Sequence, residues 1–232
     1  MTQLGVTDAT QYGGRLAAAK AASRPAQALP SGEVSAAYLA AKRAFDLVSA
    51  LVGIVVCGPL LAGIAAAIKL DSPGPVLFRQ RRPGRNGKPF TLLKFRTMTC
   101  DAEEKLPEVL PLNREPDHSL IRIPDDPRVT RLGRFLRRSS LDELPQLVNI
   151  LRGEMSLVGP RPISRPIADE RATLRLVAPP GLTGLWQING RKETDCRFML
   201  EKDMEYLSRR SLWFDLGILM RTVPAVLRRN GA

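Results

Sequence analysis

The chain is poor in the side chains that most often run metal and acid–base chemistry. Its one histidine, His118, lies in the polar stretch 115–119 and reads as a surface residue rather than a base or metal ligand. Its three cysteines, Cys57, Cys100 and Cys196, are odd in number, far apart, and form no CxxC pair. That argues against a disulfide framework or a zinc site and for a reducing compartment. Aromatic residues make up only 5% of the chain. They do not interleave with the basic residues, and no groove-reading motif is visible, which speaks against nucleic acid as the partner. No internal repeat is visible either. Acid is scarce: 23 Asp and Glu against 35 Lys and Arg leave a net charge of +12. Such a surface attracts polyanions, and nucleic acid, an anionic membrane and phosphate-bearing substrates all qualify by charge alone. The hydrophobic share, 44% of 232 residues, suits one globular domain with extra segments.

Residues 1–40 are rich in Ala, Gly, Gln and Ser and read as a flexible tail, with a short helix near 16–22. One long apolar segment follows. Lys42-Arg43 opens it, Lys69 closes it, and residues 47–68 carry no charge. As a helix rising about 1.5 Å per residue it reaches roughly 33 Å, close to the hydrocarbon thickness of a bilayer. Asp46 sits at its entrance, where Lys42 and Arg43 can pair with it. A signal peptide fits poorly, because the preceding region is long and Pro59 interrupts the run. A buried core helix of this length is unusual in so small a domain. A membrane segment fits best, and 41–70 is assigned to it. Gly58-Pro59 lies near its middle, where a proline removes a helical hydrogen bond and a kink is expected. Basic residues flank both ends, so the positive-inside rule places both in the cytoplasm. A bent, re-entrant helix satisfies both facts; a simple single span is the alternative.

The remainder, 71–232, reads as a small cytosolic domain, giving an α+β, mainly helical fold overall. Ser72-Pro73-Gly74-Pro75 forces a turn. A β-hairpin is predicted over 76–80 and 90–95, joined by Pro83-Gly84-Arg85-Asn86-Gly87. Residues 100–126 read as a long loop with a short helix at 101–105. Helices are predicted at 128–138, with a basic stripe of Arg131, Arg134 and Arg138, and at 141–151, stopped by Gly153. A last helix at 212–227 is either a core helix or lies in the membrane interface.

The densest chemical signal is Arg137-Arg138-Ser139-Ser140-Leu141-Asp142-Glu143. Ser140 and Glu143 have the spacing of a capping box, and that purely structural reading stays open. It leaves two adjacent carboxylates directly after two arginines unexplained. Guanidinium groups and a helix start favour an ionised carboxylate. An ionised Asp can attack phosphorus, and its neighbour can hold a divalent cation. In Val158-Gly159-Pro160-Arg161-Pro162, two prolines fix the backbone around one arginine, a way to aim a planar fork at a phosphate. In the glycine-rich run from Pro180 to Arg191, Gln187, Asn189 and Arg191 supply polar contacts.

Lys42-Arg43-Ala44-Phe45-Asp46, Phe78-Arg79-Gln80-Arg81-Arg82-Pro83-Gly84, Lys94-Phe95-Arg96-Thr97-Met98, the dyad segment, Gly159-Pro160-Arg161-Pro162 and the glycine-rich run occur together and in that order. In this the chain resembles the bacterial sugar transferases, the monotopic phosphoglycosyl transferases, from about Ala41 onward. The resemblance implies a re-entrant membrane helix broken at a Ser-Pro pair, which here reads Gly58-Pro59, without the serine hydroxyl. It implies Asp142 as nucleophile and Glu143 as a Mg²⁺ ligand, with Asp142 beside it at the metal. Arg137 and Arg161 match the family's arginines, and Lys94, Arg96, Gln187, Asn189 and Arg191 are expected to help bind substrate and its phosphates. The implied substrates are a UDP-sugar and a polyprenyl (undecaprenyl) phosphate, and the implied place is the cytoplasmic face of the bacterial inner membrane, among its lipids. The Gly-Leu-Trp-Gln form around Trp186 looks more like members that transfer a plain hexose-1-phosphate. Oligomeric state is left open, a homodimer among the options. The rival readings are a polyanion-binding membrane protein and a non-catalytic scaffold, both of which leave the dyad idle.

Overall fold

A computed structural model describes residues 34–113, 123–163, 169, 171–189 and 196–227. Most of the tail, the helix expected near 16–22, His118 and Arg191 lie outside the described residues. The long apolar run forms one helix, α1 (Ala36–Asp71). It is the one helix among the described residues long and apolar enough to cross a membrane. The expected break does not interrupt it: Pro59 sits inside a continuous helix. A proline withholds a single backbone hydrogen bond and is tolerated within long apolar helices.

The helix does not stand apart from the rest of the chain. It is buried against the domain towards both ends, through Lys42, Asp46 and Ala50 and again through Ile64 and Ile68. Near its start, Arg43 donates to the carbonyls of Ile150 and Leu151, and Asp46 accepts from Leu157 N at 3.0 Å. Ala50 and Ile54 pack with Phe90, Leu92, Leu147 and Ile150. Near its end, Ile64 and Ile68 pack with Phe95 and Leu136. Each fully buried aliphatic side chain in such a seam contributes roughly 1.5–3 kcal/mol. The opposite face, with Val48, Leu51, Val52, Val55, Val56 and Leu60, is exposed. An apolar surface of that extent calls for a membrane.

At Ser72-Pro73 the helix stops, and the Arg96 guanidinium collects its last carbonyls, those of Ile68, Ser72 and Pro73. The hairpin is present: β1 (Leu77–Pro83) pairs antiparallel with β2 (Pro89–Phe95), with Arg81 opposite Thr91. Asn86 turns the chain with a left-handed φ of 55°, as the Asn-Gly signal predicts. The helix expected at 101–105 forms one turn later, as α2 (Leu106–Val109). The next helix, α3 (Arg131–Arg138), starts at Thr130, whose side chain accepts from Gly133 N at 2.9 Å. A hydroxyl cap at that position fixes the start three residues later than the apolar pattern suggests.

The helix expected at 141–151 is split. Leu141–Glu143 form a 3-10 turn, and α4 (Gln146–Leu151) follows Pro145. Ser140 has φ 56° and makes no side-chain cap bond, so the capping-box geometry does not form. Asn149, on α4 and fully buried, accepts from Leu93 N and donates to Thr91 O. It ties α4 to β2, which sets Lys94 opposite the dyad turn.

Beyond α4, β3 (Ser156–Val158) runs parallel to β4 (Gly181–Thr183), Ser156 beside Gly181. A Cβ on Gly181 would lie 2.1 Å from the Gly159 nitrogen, so only glycine admits that approach. The pairing brings Pro160-Arg161-Pro162 against the glycine-rich run. Among the described residues, two short helices and two longer ones follow: α5 (Arg171–Leu174), α6 (Leu185–Asn189), α7 (Cys196–Arg209) and α8 (Leu212–Leu227). On α8, Ile218 is buried with Tyr206 and Val158, while Trp213, Met220 and Val223 are exposed. The core reading of that helix is met on its Ile218 face.

Candidate active site

The dyad turn is held between β2, α3 and the loop after β3. Asp142 is 8% exposed, and Glu143 is half-buried. Lys94 Nζ lies 2.6 Å from Glu143 Oε1 and 3.9 Å from Asp142 Oδ2. Arg161 reaches from the far side, 3.9 Å from Glu143 Oε1. Arg137 is placed by its bond from Nε to Thr97 Oγ1, at 2.9 Å. Three cations from three separate elements thus surround two carboxylates, and they leave a strong positive field where an anionic group would sit.

The sequence suggested that nearby guanidinium groups keep Asp142 ionised. Burial works against them. It pushes the Asp142 carboxyl above its usual range and outweighs Lys94, while the charge of Glu143 adds to the rise and Arg137 and Arg161 oppose it. A desolvated carboxylate is a stronger nucleophile than a hydrated one, and a phosphate with its counter-charges would restore the balance.

Of the other residues expected to bind substrate, Gln187 stands closest to the expectation. It is 2% exposed and lines an open pocket with Lys94, Glu143 and Arg161. Neither its Nε2 nor its Oε1, both buried, meets a protein partner. Arg96 is not brought to the dyad; its guanidinium is occupied at the end of α1. Asn189 is exposed and donates to Leu185 O within its own helix. Sequence reasoning missed Arg82. It lines the pocket, donates to the Pro162 carbonyl, and is oriented by Gln80. Burial, with Arg161 close by, disfavours its charged form, and Glu143 opposes that. Its signal was available, since strand alternation puts Gln80 and Arg82 on one side of β1.

Among the described residues no group of three or more His, Cys, Asp or Glu side chains gathers to hold a metal. That donor set nonetheless fits Mg²⁺, which keeps several waters and is commonly held by one or two carboxylates together with substrate phosphates. Asp142 and Glu143 supply two adjacent hard oxygen donors.

A family model described as bacterial sugar transferase matches residues 37–229. The chain belongs to the bacterial sugar transferase family. It is 41% identical over 200 residues to an undecaprenyl-phosphate galactose phosphotransferase of Salmonella typhimurium, covering 82% of this chain and 41% of the relative. It is 46% identical over 202 residues to a UDP-glucose:undecaprenyl-phosphate glucose-1-phosphate transferase of Caulobacter vibrioides, covering 82% and 71%. It is 43% identical over 200 residues to the exopolysaccharide production protein ExoY of Rhizobium meliloti, covering 83% and 88%. The chain thus spans about two fifths of the Salmonella relative's length and most of the Rhizobium protein's. The Salmonella and Caulobacter relatives are named for galactose and glucose respectively.

Proposed function

We propose that this sugar transferase moves a hexose-1-phosphate from a UDP-sugar to undecaprenyl phosphate, in two steps through Asp142, and so starts a surface polysaccharide. The observation that carries the reading is the adjacent Asp142 and Glu143, one buried and one half-buried, with Lys94, Arg137 and Arg161 about them. The names of the relatives supply the substrate classes. In the first step an Asp142 carboxylate oxygen attacks the β-phosphorus. The new bond joins that oxygen to phosphorus, and the bond from phosphorus to the bridging oxygen breaks. UMP leaves with the electron pair. In the second step a phosphate oxygen of the lipid attacks the same phosphorus, and the Asp142 carboxylate leaves. Lys94, Arg137 and Arg161 offset charge on the phosphoryl oxygens, which is most of what phosphoryl transfer asks of a protein. Asp142 and Glu143 would hold Mg²⁺, and the ion, when bound, neutralises phosphate charge.

The packing of α1 supports a place on one face of the membrane. Its attachments at Arg43 and at Ile68, about 38 Å apart at about 1.5 Å per residue, are both to the same domain. A straight span would put one of those attachments across the bilayer from the other. With basic flanks at both ends, the domain faces the cytoplasm, at the inner membrane. A donor panel tests the whole reading: UMP release should occur with UDP-glucose or UDP-galactose and Mg²⁺. Faster release with N-acetylated donors than with both hexose donors would overturn the hexose assignment, and no release from any donor would overturn the reaction.

A further inference from the structure

Two buried ions take no part in the chemistry above. Arg175 and Asp203 are each 1% exposed, with Arg175 NH2 2.5 Å from Asp203 Oδ2. Arg175 belongs to the 3-10 turn Arg175–Val177 and Asp203 to α7. Taking two ions out of water carries a penalty that their attraction often fails to offset, so such a pair is weak evidence of a stabilising role. What else the pair touches is more telling. The same guanidinium NH2 donates to the main-chain carbonyl of Arg161. Pro160 and Pro162 already fix φ on either side of Arg161. A bond to the carbonyl between them holds the remaining freedom of that backbone. The Arg161 side chain then runs over the Trp186 ring, with Cζ 5.6 Å from the centroid, a favourable stacking distance for a guanidinium. From there it reaches Glu143.

We infer that the Arg175–Asp203 pair positions Arg161, holding the Pro160-Arg161-Pro162 backbone so that its guanidinium is aimed at the phosphate over the dyad. Asp203 keeps Arg175 in place, Arg175 pins the carbonyl, and Trp186 supports the side chain. Neither ion touches the reacting atoms. The inference rests on the reading of this site as a phosphoryl-transfer site.

The test uses the full chain in detergent or nanodiscs. The protein has two tryptophans, so Trp213→Phe leaves Trp186 as the sole reporter of the guanidinium above it, whether or not the enzyme turns over. Two variants are made in that background. Arg175→Met with Asp203→Leu removes both charges and leaves neither ion alone; Arg175→Lys keeps the charge but ends one bond short of the NH2 position that meets both Asp203 and the Arg161 carbonyl. Both should shift Trp186 emission in the direction Arg161→Ala shifts it, and lower kcat for UMP release by about ten- to hundredfold with a smaller change in KM. Added to Arg161→Ala, neither should move the emission or the rate further. Losses that multiply with that of Arg161→Ala, or a Trp186 emission indifferent to both variants, would overturn the inference. A wild-type protein that releases no UMP from any donor, with Trp186 emission still governed by Arg175, would retain the positioning role and remove the phosphoryl reading instead.

Discussion

Replacing Gly133 by alanine sets two effects of opposite sign against each other. Within a helix, alanine is favoured over glycine by about 1 kcal/mol. Gly133 lies in the first turn of α3, where that helix crosses the end of β2. A Cβ there would lie 2.0 Å from the Thr97 carbonyl oxygen and 2.7 Å from its carbon. Both are backbone atoms, and the same oxygen already accepts from Thr130 N at 3.0 Å. No flexible side-chain tip is available to yield. Restoring an ordinary carbon–oxygen contact of about 3.3 Å requires α3 to move by roughly 1 Å. Overpacking of this kind costs about 1–3 kcal/mol, and backbone against backbone belongs at the upper end. Weakening the Thr130–Thr97 bond adds about 1 kcal/mol. After the helix-propensity gain, the expected net loss is about 2–3 kcal/mol. For a domain of this size that lowers the melting temperature by about 4–12 °C. The shift also reaches the site, because Arg137 is held by the Thr97 side chain at 2.9 Å. A displacement of that size misaims a phosphate-binding group and should slow UMP release by about ten- to hundredfold. Differential scanning fluorimetry in detergent and a UMP-release assay read the two effects. A Gly133→Ala protein as stable and as active as the parent would refute the argument that this contact seats α3 and, with it, Arg137.

The covalent step is tested without lipid acceptor: UMP should be released to about one equivalent, with a sugar-phosphate mass on the peptide containing Asp142. Asp142→Asn should show neither event, and Glu143→Gln should keep its fold and membrane association but lose most activity; an active Asp142→Asn enzyme ends the two-step mechanism. Activity should fall on acidification at a pH above the ordinary Asp range, because burial raises the Asp142 pKa and protonation removes the nucleophile. The same shift has the opposite sign for stability: the folded state binds that proton more tightly than the unfolded one, so the contribution of Asp142 declines as pH rises through its folded pKa. A kcat/KM profile whose acid limb sits at or below 3.8, the ordinary value for an aspartate, would contradict the burial argument. For topology, single cysteines at Ala19 and Asn230, in a chain without the native three, should both resist a membrane-impermeant thiol reagent in intact cells. Labelling at Ala19 alone would establish a true span.

The parts of this fold readable from sequence are those specified by neighbours in the chain. The Asn86-Gly87 turn, the uncharged run of α1 and the bounds of α8 are of that kind. The pieces that escaped depend on residues far apart. Lys94 meets Glu143 only because Asn149 sews α4 to β2 across more than fifty residues of chain. The three-residue strands β3 and β4 are too short to leave a period, yet their pairing joins two motifs into one site. Arg96 was misplaced for a related reason: its motif neighbour Lys94 faces the dyad, but Arg96 follows the last residue of β2 and turns to the carbonyls of α1. Ser140 and Glu143 matched a capping pattern by spacing, and the left-handed φ of Ser140 defeats it. The rise in the Asp142 pKa was hidden because burial is a property of the packed molecule, while the arginines that oppose it are visible in the string.

The seam along α1 has a consequence for how this protein is made. Ala50, Ile64 and Ile68 are as buried as the interior of the catalytic domain, so the lipid-facing helix is also one wall of that interior. Cutting it away to obtain a water-soluble enzyme would strip Phe90, Leu92, Phe95 and Leu136 of their cover and yield an aggregating fragment. Biogenesis faces the same constraint. The helix leaves the ribosome before the elements it must pack against, so it has to wait in the lipid headgroups until β2, α3 and α4 arrive. Folding of the domain is thereby tied to the placement of α1, whose buried face supplies part of its core.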